Sequence, residues 1–282
     1  LKYQIVSQYG SDGVFQMISG FNFKSEYNFN DLVDIVAILR GDGGCPWDAV
    51  QTHLTIKKDL IEETYEVIEA INKDDKVLLC EELGDLMLQA VFHAQIETEQ
   101  NCFNIDTVCD GICKKLIERH PHVFGDITVN STEEVLSNWD TIKRRTKSQT
   151  SQSVAMAAIP QTFPALMKAQ KVQEKAKKAG FDWDNADGAF LKIEEESKEL
   201  QIALQSGDKA CIEDELGDLL FSAVNVARFC DCDAETALEK ATQKFMKRFT
   251  ITEKLAAEKG IDMKEASIEV LDELWEEAKK QN

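Results

Sequence analysis

Apolar residues along most of this chain recur at helical spacing. Around residues 60–71, Leu60, Thr64, Val67, Ile68 and Ile71 fall on one face of a helical wheel. Glu63 and Glu66 share one edge of that face, and Glu62 and Glu69 lie further toward solvent. A second helix is expected from near Cys80 to beyond Ala94. From Leu86 onward it is apolar nearly all round, which predicts a central, buried element. Its one polar stripe is Glu82, Asp85, Gln89 and His93, and the matching stripe in the second half is Glu215, Asp218, Ser222 and Asn225. Carboxylates on a buried helix are costly unless something positive meets them. Tyr3 to Val6 reads as a short strand, and the rest predicts an all-α chain.

The polar landmarks occur twice in the same order. Glu62-Glu63-x-x-Glu66 precedes Glu82-x-x-Asp85, and Glu195-Glu196-x-x-Glu199 precedes Glu215-x-x-Asp218. Nineteen positions separate Glu63 from Glu82, and Glu196 from Glu215. Gly44-Cys45-Pro46-Trp47-Asp48 echoes Gly180-Phe181-Asp182-Trp183-Asp184, and Glu82-Leu83-Gly84-Asp85-Leu86 matches Glu215-Leu216-Gly217-Asp218-Leu219. Lys115 and Arg119 answer to Lys244 and Arg248, and Trp139 with Lys143 to Trp275 with Lys279. Duplication followed by loop drift leaves this trace, and two copies make a pair of domains rather than a solenoid. The expected organisation is an N-terminal extension over residues 1–27, a first domain over 28–147, a polar linker over 148–158 and a second domain over 159–282.

Charge narrows the function classes. The chain of 282 residues carries a formal net charge of −19, which repels nucleic acid and anionic membrane surfaces. A phosphate substrate must therefore arrive with metal and meet local Lys or Arg. No apolar run is long enough to span a membrane, and the start lacks a secretory pattern. The eight cysteines do not repeat between the halves, which argues against a disulfide framework and for a reducing, cytoplasmic setting. Position 1 is Leu, so the chain is expected to be processed, incomplete or part of a longer protein.

A lone Glu-Glu-x-x-Glu is commonly a solvated face. The second acidic pair lies on an otherwise apolar helix and the arrangement recurs, so a hard divalent cation is favoured. Mg²⁺ suits all-oxygen ligands and keeps waters that can act as nucleophile, with Mn²⁺ as a substitute. A di-iron bundle wants Glu-x-x-His, and here Asp85 and Asp218 hold the third-residue position. Lys244 and Arg248 are one helical turn apart, as are Lys115 and Arg119, and both pairs are candidate phosphate contacts. The row Lys168, Lys171 and Lys175 is either a solvated face or a triphosphate-capturing one. His120 and His122, near Cys109 and Cys113, read as packing or capping groups more readily than as a zinc site. His93 reads as a hydrogen-bonded core histidine.

These motifs, together with Arg119-His120-Pro121-His122-Val123-Phe124, resemble the MazG family of nucleoside triphosphate pyrophosphohydrolases over roughly residues 28–282. The resemblance implies tandem helical bundle domains completed by dimerisation of two chains. It implies hydrolysis of NTPs or dNTPs to the monophosphate and pyrophosphate with Mg²⁺. The ligands it implies are Glu196, Glu199, Glu215 and Asp218 in the second half and Glu63, Glu66, Glu82 and Asp85 in the first. It also suggests that Trp275 stacks on or near the base. Some relatives carry a tetrapyrrole-methylase-like domain in front, and residues 1–27 would fit the tail of such a fusion.

Seven positions after the motif Asp stands Phe92 in the first half and Asn225 in the second. Only Asn can hydrogen-bond beside a metal, so the second half is expected to be the better catalyst. Glu195 or Glu196, and in the first half Glu62 or Glu63, are the candidate proton acceptors for an attacking water. The rival from another class is a nucleotide-binding or dimerisation module with little turnover. An acidic Ca²⁺ buffer is disfavoured because the twelve-residue EF-hand loop is absent.

Overall fold

The computed structural model describes residue 21 and residues 23–146 and 151–281. The strand expected for Tyr3 to Val6 and the first residues of the expected linker lie outside this range. Among the described residues the chain is helical, without strands, and no helix is long and apolar enough to cross a membrane. It divides into two compact units at Trp139/Asp140.

The first unit runs through α1 (Phe29–Arg40), α2 (Pro46–Ala49), α3 (Lys57–Asn72), α4 (Lys76–Glu99), α5 (Ile105–Arg119) and α6 (Pro121–Phe124). The division falls inside α7 (Thr132–Thr146). The second unit continues with α8 (Gln152–Ala157), α9 (Ala165–Lys178), α10 (Ala186–Ser206), α11 (Lys209–Phe229), α12 (Ala234–Glu258) and α13 (Ile268–Lys280). Helix α8 lies in the expected linker: Ser151 caps it by accepting from the Val154 amide, and Ala155 is buried.

Each unit is built on a helical hairpin, α3 with α4 and α10 with α11. Asp75 and Asp208 cap the second helix of each hairpin by accepting amides of its first turn. The turn before each cap needs a left-handed residue. Gly207 supplies it in the second unit at φ 70°, and Asp74 holds the matching place in the first at φ 51°. Asn101 and Asp231 repeat the device after α4 and α11, at φ 57° and 51°. Asp and Asn reach this conformation more readily than other residues with a side chain.

The first core gathers Val36, Ile56, Val91, Phe92 and Ile96, and the second gathers Leu255, Ala256, Leu274 and Ala278 between α12 and α13. The buried apolar residues of α4 thus lie in its C-terminal part. Met87 remains 45% exposed, which corrects the expectation of a wholly buried element from Leu86 on, and Leu83 before it is 46% exposed. On α3, Leu60 and Val67 are half-buried and Ala70 is buried, but Ile68 and Ile71 of the expected inward face are exposed, as is Thr64. The reason is that a hairpin of two helices covers only one side of each, and the remaining apolar rows have no neighbour within their unit.

A buried arginine ties each hairpin to the segment before it. Arg40 on α1 donates Nε and Nη2 to the Glu99 carboxylate, both at 2.8 Å, and Nη1 to the carbonyls of Asp48 and Gln51 at 2.7 and 3.1 Å. Arg228 on α11 forks onto Asp182 and donates Nε to Asn225 Oδ1 at 2.9 Å. Burial pushes the Asp182 carboxyl up, but the Arg228 hydrogen bonds and charge, with the Trp183 amide, more than offset this and hold it below the usual range.

Arg228 is 7% and Asp182 14% exposed, so Arg228→Ala strands a buried carboxylate. A loss of about 2–3 kcal/mol is expected in urea unfolding at pH 7. With its pKa lowered in the fold, Asp182 contributes stability above its unfolded value near 3.8 and loses it as pH falls through the folded value. The difference between variant and parent should therefore shrink in acid.

Candidate metal centres

Helical spacing sets out the carboxylates. Glu63 and Glu66 are one turn apart on α3, and Glu82 and Asp85 one turn apart on α4. The hairpin brings oxygens of Glu63, Glu66 and Glu82 within 4.8 Å of one another. Asp85 stands beside them closely enough for its charge to act on Glu63 and Glu82. In the second hairpin, Glu196, Glu215 and Asp218 lie within 4.8 Å of one another, and so do Glu195, Glu196 and Glu199. Glu196 belongs to both groups and is only 4% exposed; Glu82 is 9% exposed.

Burial, then the charges of Asp85, Glu66 and Glu82, raises the Glu63 carboxyl above its usual value. Glu82 is raised by burial and by Glu66, Asp85 and Glu81. Glu199 is raised by burial, by Glu196 through charge and hydrogen bonding, and by Glu215 and Glu195. These groups repel one another in a partly desolvated setting. All-oxygen donor sets of this kind fit a hard divalent cation, whose charge would relieve that repulsion.

The second cluster holds a cation of its own that the sequence reading missed. Lys192 Nζ lies 2.6 Å from Glu196 and 2.9 Å from Glu195. Hydrogen bonds that it donates to Glu196, then Glu195, hold its ammonium well above the ordinary lysine pKa. The signal was present, because Lys192 stands one turn before Glu196.

The other candidates are placed less directly. Among the described residues, neither Lys244 nor Arg248 on α12 pairs with the carboxylates; Lys244 is exposed, and the half-buried Arg248 has a buried Nε without a partner. Lys115 is exposed and Arg119 half-buried at the end of α5. Trp275 packs against Phe245, with ring centroids 5.1 Å apart. On α9, Lys168 bonds Gln161, Lys171 sits 6.0 Å from the Phe163 ring and Lys175 is half-buried. Glu62 is exposed and lies 3.7 Å from Lys58.

Asn225 is buried, and its Oδ1 accepts from Arg228 Nε, which makes it part of the loop tether. Its counterpart Phe92 is a core residue under Arg40. His93 is hydrogen-bonded: its Nδ1 meets His53 Nδ1 at 2.7 Å, and His53 Nε2 meets Glu97 at 2.6 Å. His120 donates Nδ1–H to the Leu116 carbonyl at 2.6 Å and packs on Trp139. All eight cysteines are unpaired.

The sequence profile described as MazG nucleotide pyrophosphohydrolase domain matches residues 51–124 and again 188–253, each match spanning one hairpin. The Thermotoga maritima nucleoside triphosphate pyrophosphohydrolase/pyrophosphatase MazG is 46% identical over 251 residues, 89% of this chain and 95% of that protein. The Escherichia coli K12 nucleoside triphosphate pyrophosphohydrolase is 42% identical over 253 residues, 89% of this chain and 96% of that one. The uncharacterized Bacillus subtilis protein YabN is 43% identical over 254 residues, 90% of this chain but 52% of its own length.

Raised carboxyls contribute most stability below their unfolded value near 4.5 and lose it as pH rises through the folded values. Metal-free protein should therefore become less stable as pH rises above about 4.5. Glu82→Gln should raise its Tm at pH 7 by about 2–4 °C and change it little at pH 4. Thermal melts followed by circular dichroism in EDTA check this.

Proposed function

The chain belongs to the MazG nucleotide pyrophosphohydrolase family, and we propose that it hydrolyses nucleoside triphosphates, NTP or dNTP, to the monophosphate and pyrophosphate with Mg²⁺, which Mn²⁺ can replace. The observation that carries this is the twice-built cluster of carboxylates around a buried glutamate, Glu82 in one unit and Glu196 in the other. Glu63, Glu66, Glu82 and Asp85 would hold the ion in the first unit, and Glu196, Glu199, Glu215 and Asp218 in the second. When bound, Mg²⁺ supplies Lewis acidity toward phosphate oxygens and lowers the pKa of water enough for attack near neutral pH.

The chain's own groups do the rest. Glu195 borders the buried Glu196 from the exposed side and can accept the proton of the attacking water; Glu62 has the same place beside Glu63. The water oxygen bonds to the α-phosphorus, the bond from that phosphorus to the bridging oxygen breaks, and pyrophosphate leaves. Lys244 and Arg248, or Lys115 and Arg119 in the first half, offset the charge that builds on the leaving group. The row Lys168, Lys171 and Lys175 attracts the incoming triphosphate, and Trp275 offers its ring near the base. The second half is the main catalyst: four carboxylates in two overlapping groups surround Glu196, against one group of three in the first.

The working form is a homodimer in the cytoplasm, without nucleic-acid or membrane partners. The exposed apolar rows support it: Ile61, Tyr65 and Ile68 on α3, and Leu83 and Met87 on α4, lack cover within their unit. A Cβ added at Gly84 or Gly217 would meet nothing within 4 Å, so no neighbour among the described residues accounts for these helical glycines. The net charge of −19 disfavours anionic polymers and surfaces.

Glu215→Gln should lower kcat about 100-fold or more, while Glu82→Gln should change it less than about fivefold. The products, read by chromatography, should be monophosphate and pyrophosphate. The reverse ranking would overturn the assignment of the main catalyst, and diphosphate plus phosphate would overturn the reaction. Light scattering should give about twice the chain mass of 31.8 kDa; the mass of one chain would count against the dimer.

A further inference from the structure

The two clusters share spacing but not charge balance, and the difference sits at one position. One turn before Glu196 stands Lys192; one turn before Glu63 stands Asp59. Lys192 lies within hydrogen-bond distance of Glu196 and Glu195, so the deepest carboxylate of the second cluster already has a positive partner. Among the described residues, no Lys or Arg pairs with Glu63, Glu66, Glu82 or Asp85, and Asp59 adds a further negative charge to the same helix. A buried carboxylate without a counter-ion gains most from an arriving cation; one already paired must first give up its partner.

Resting on the metal reading above, we infer that Lys192 is a built-in counter-ion of the second site, so that the two halves take up divalent metal unequally. The first half binds metal by itself. The second binds it only by displacing the Lys192 ammonium from Glu196, and is therefore the weaker site when no substrate is present. Lys192 is in this sense a positioning residue: its contact holds the buried Glu196 side chain in place until the metal arrives. The half with five carboxylates is then, against simple charge counting, the half that holds metal less tightly at rest.

Manganese binding to the intact chain, followed by the electron paramagnetic resonance of free Mn²⁺ at pH 7.5 without nucleotide, tests this. Two classes of site are expected, with affinities about tenfold apart, the scale of effect seen when a partner of a metal ligand is changed. Glu82→Gln should remove the tighter class and Glu215→Gln the weaker one. Lys192→Met should tighten the weaker class about tenfold, and Asp59→Lys should weaken the tighter class by a similar factor. Should Lys192→Met fail to fold, Asp59→Lys decides. A single class in the parent, a reversed assignment, or no tightening in Lys192→Met would overturn the inference while leaving metal binding intact. No Mn²⁺ binding in any form would instead overturn the metal reading on which it rests.

Discussion

Carboxylates held against one another in a partly buried place are the constraint from which the rest of this molecule follows. Glu82 and Glu196 are removed from water, yet each has two or more acidic neighbours within 4.8 Å. Such a group is tolerated only if its charge is lost, paired or neutralised by an ion. The two units answer differently. The first leaves its cluster to repel, which raises Glu63 and Glu82. The second inserts Lys192 beside Glu196. Both hairpins thus carry clustered acids, and in the second of them Lys192 offsets the repulsion from within the chain.

The scaffold exists to keep those acids in register. Two helices joined by a tight left-handed turn, with an aspartate cap opening the second, fix the offset between the two acidic pairs. A buried arginine then locks the preceding segment to the hairpin, although it comes from a different helix in each unit. Arg40 on α1 holds Glu99, whereas Arg228 on α11 holds Asp182. The duplicated architecture has conserved the function of the tether between its two halves without conserving its position. That change explains why the Gly-Phe-Asp-Trp motif uses its Asp side chain while the Cys-Pro-Trp-Asp motif offers the Asp48 carbonyl.

Much of the candidate site was legible before any coordinates. The spacing of Glu63, Glu66 and Glu82, and of Glu196, Glu215 and Asp218, is enough to bring them together once both segments are helices joined by a short turn. The tether role of Asn225 was not legible in the sequence, for a physical reason. Its side chain can both donate and accept, but which partner it meets depends on Arg228 one turn later, and that arginine on Asp182, 46 residues away in sequence. Ile68 and Ile71 were placed inward because a wheel shows which face is apolar, not whether anything covers it.

By itself the sequence determined the helical class, the duplication, the family and the identity of the eight clustered acids, because helical periodicity and fixed motif spacing are local properties of the chain. Tertiary structure alone decided which of those acids are buried, that Asn225 belongs to a tether, that the apolar rows of α3 and α4 stay open within their unit, and that Lys192 reaches Glu196. Burial and pairing depend on which surfaces meet across the chain, and no periodicity along it encodes that meeting.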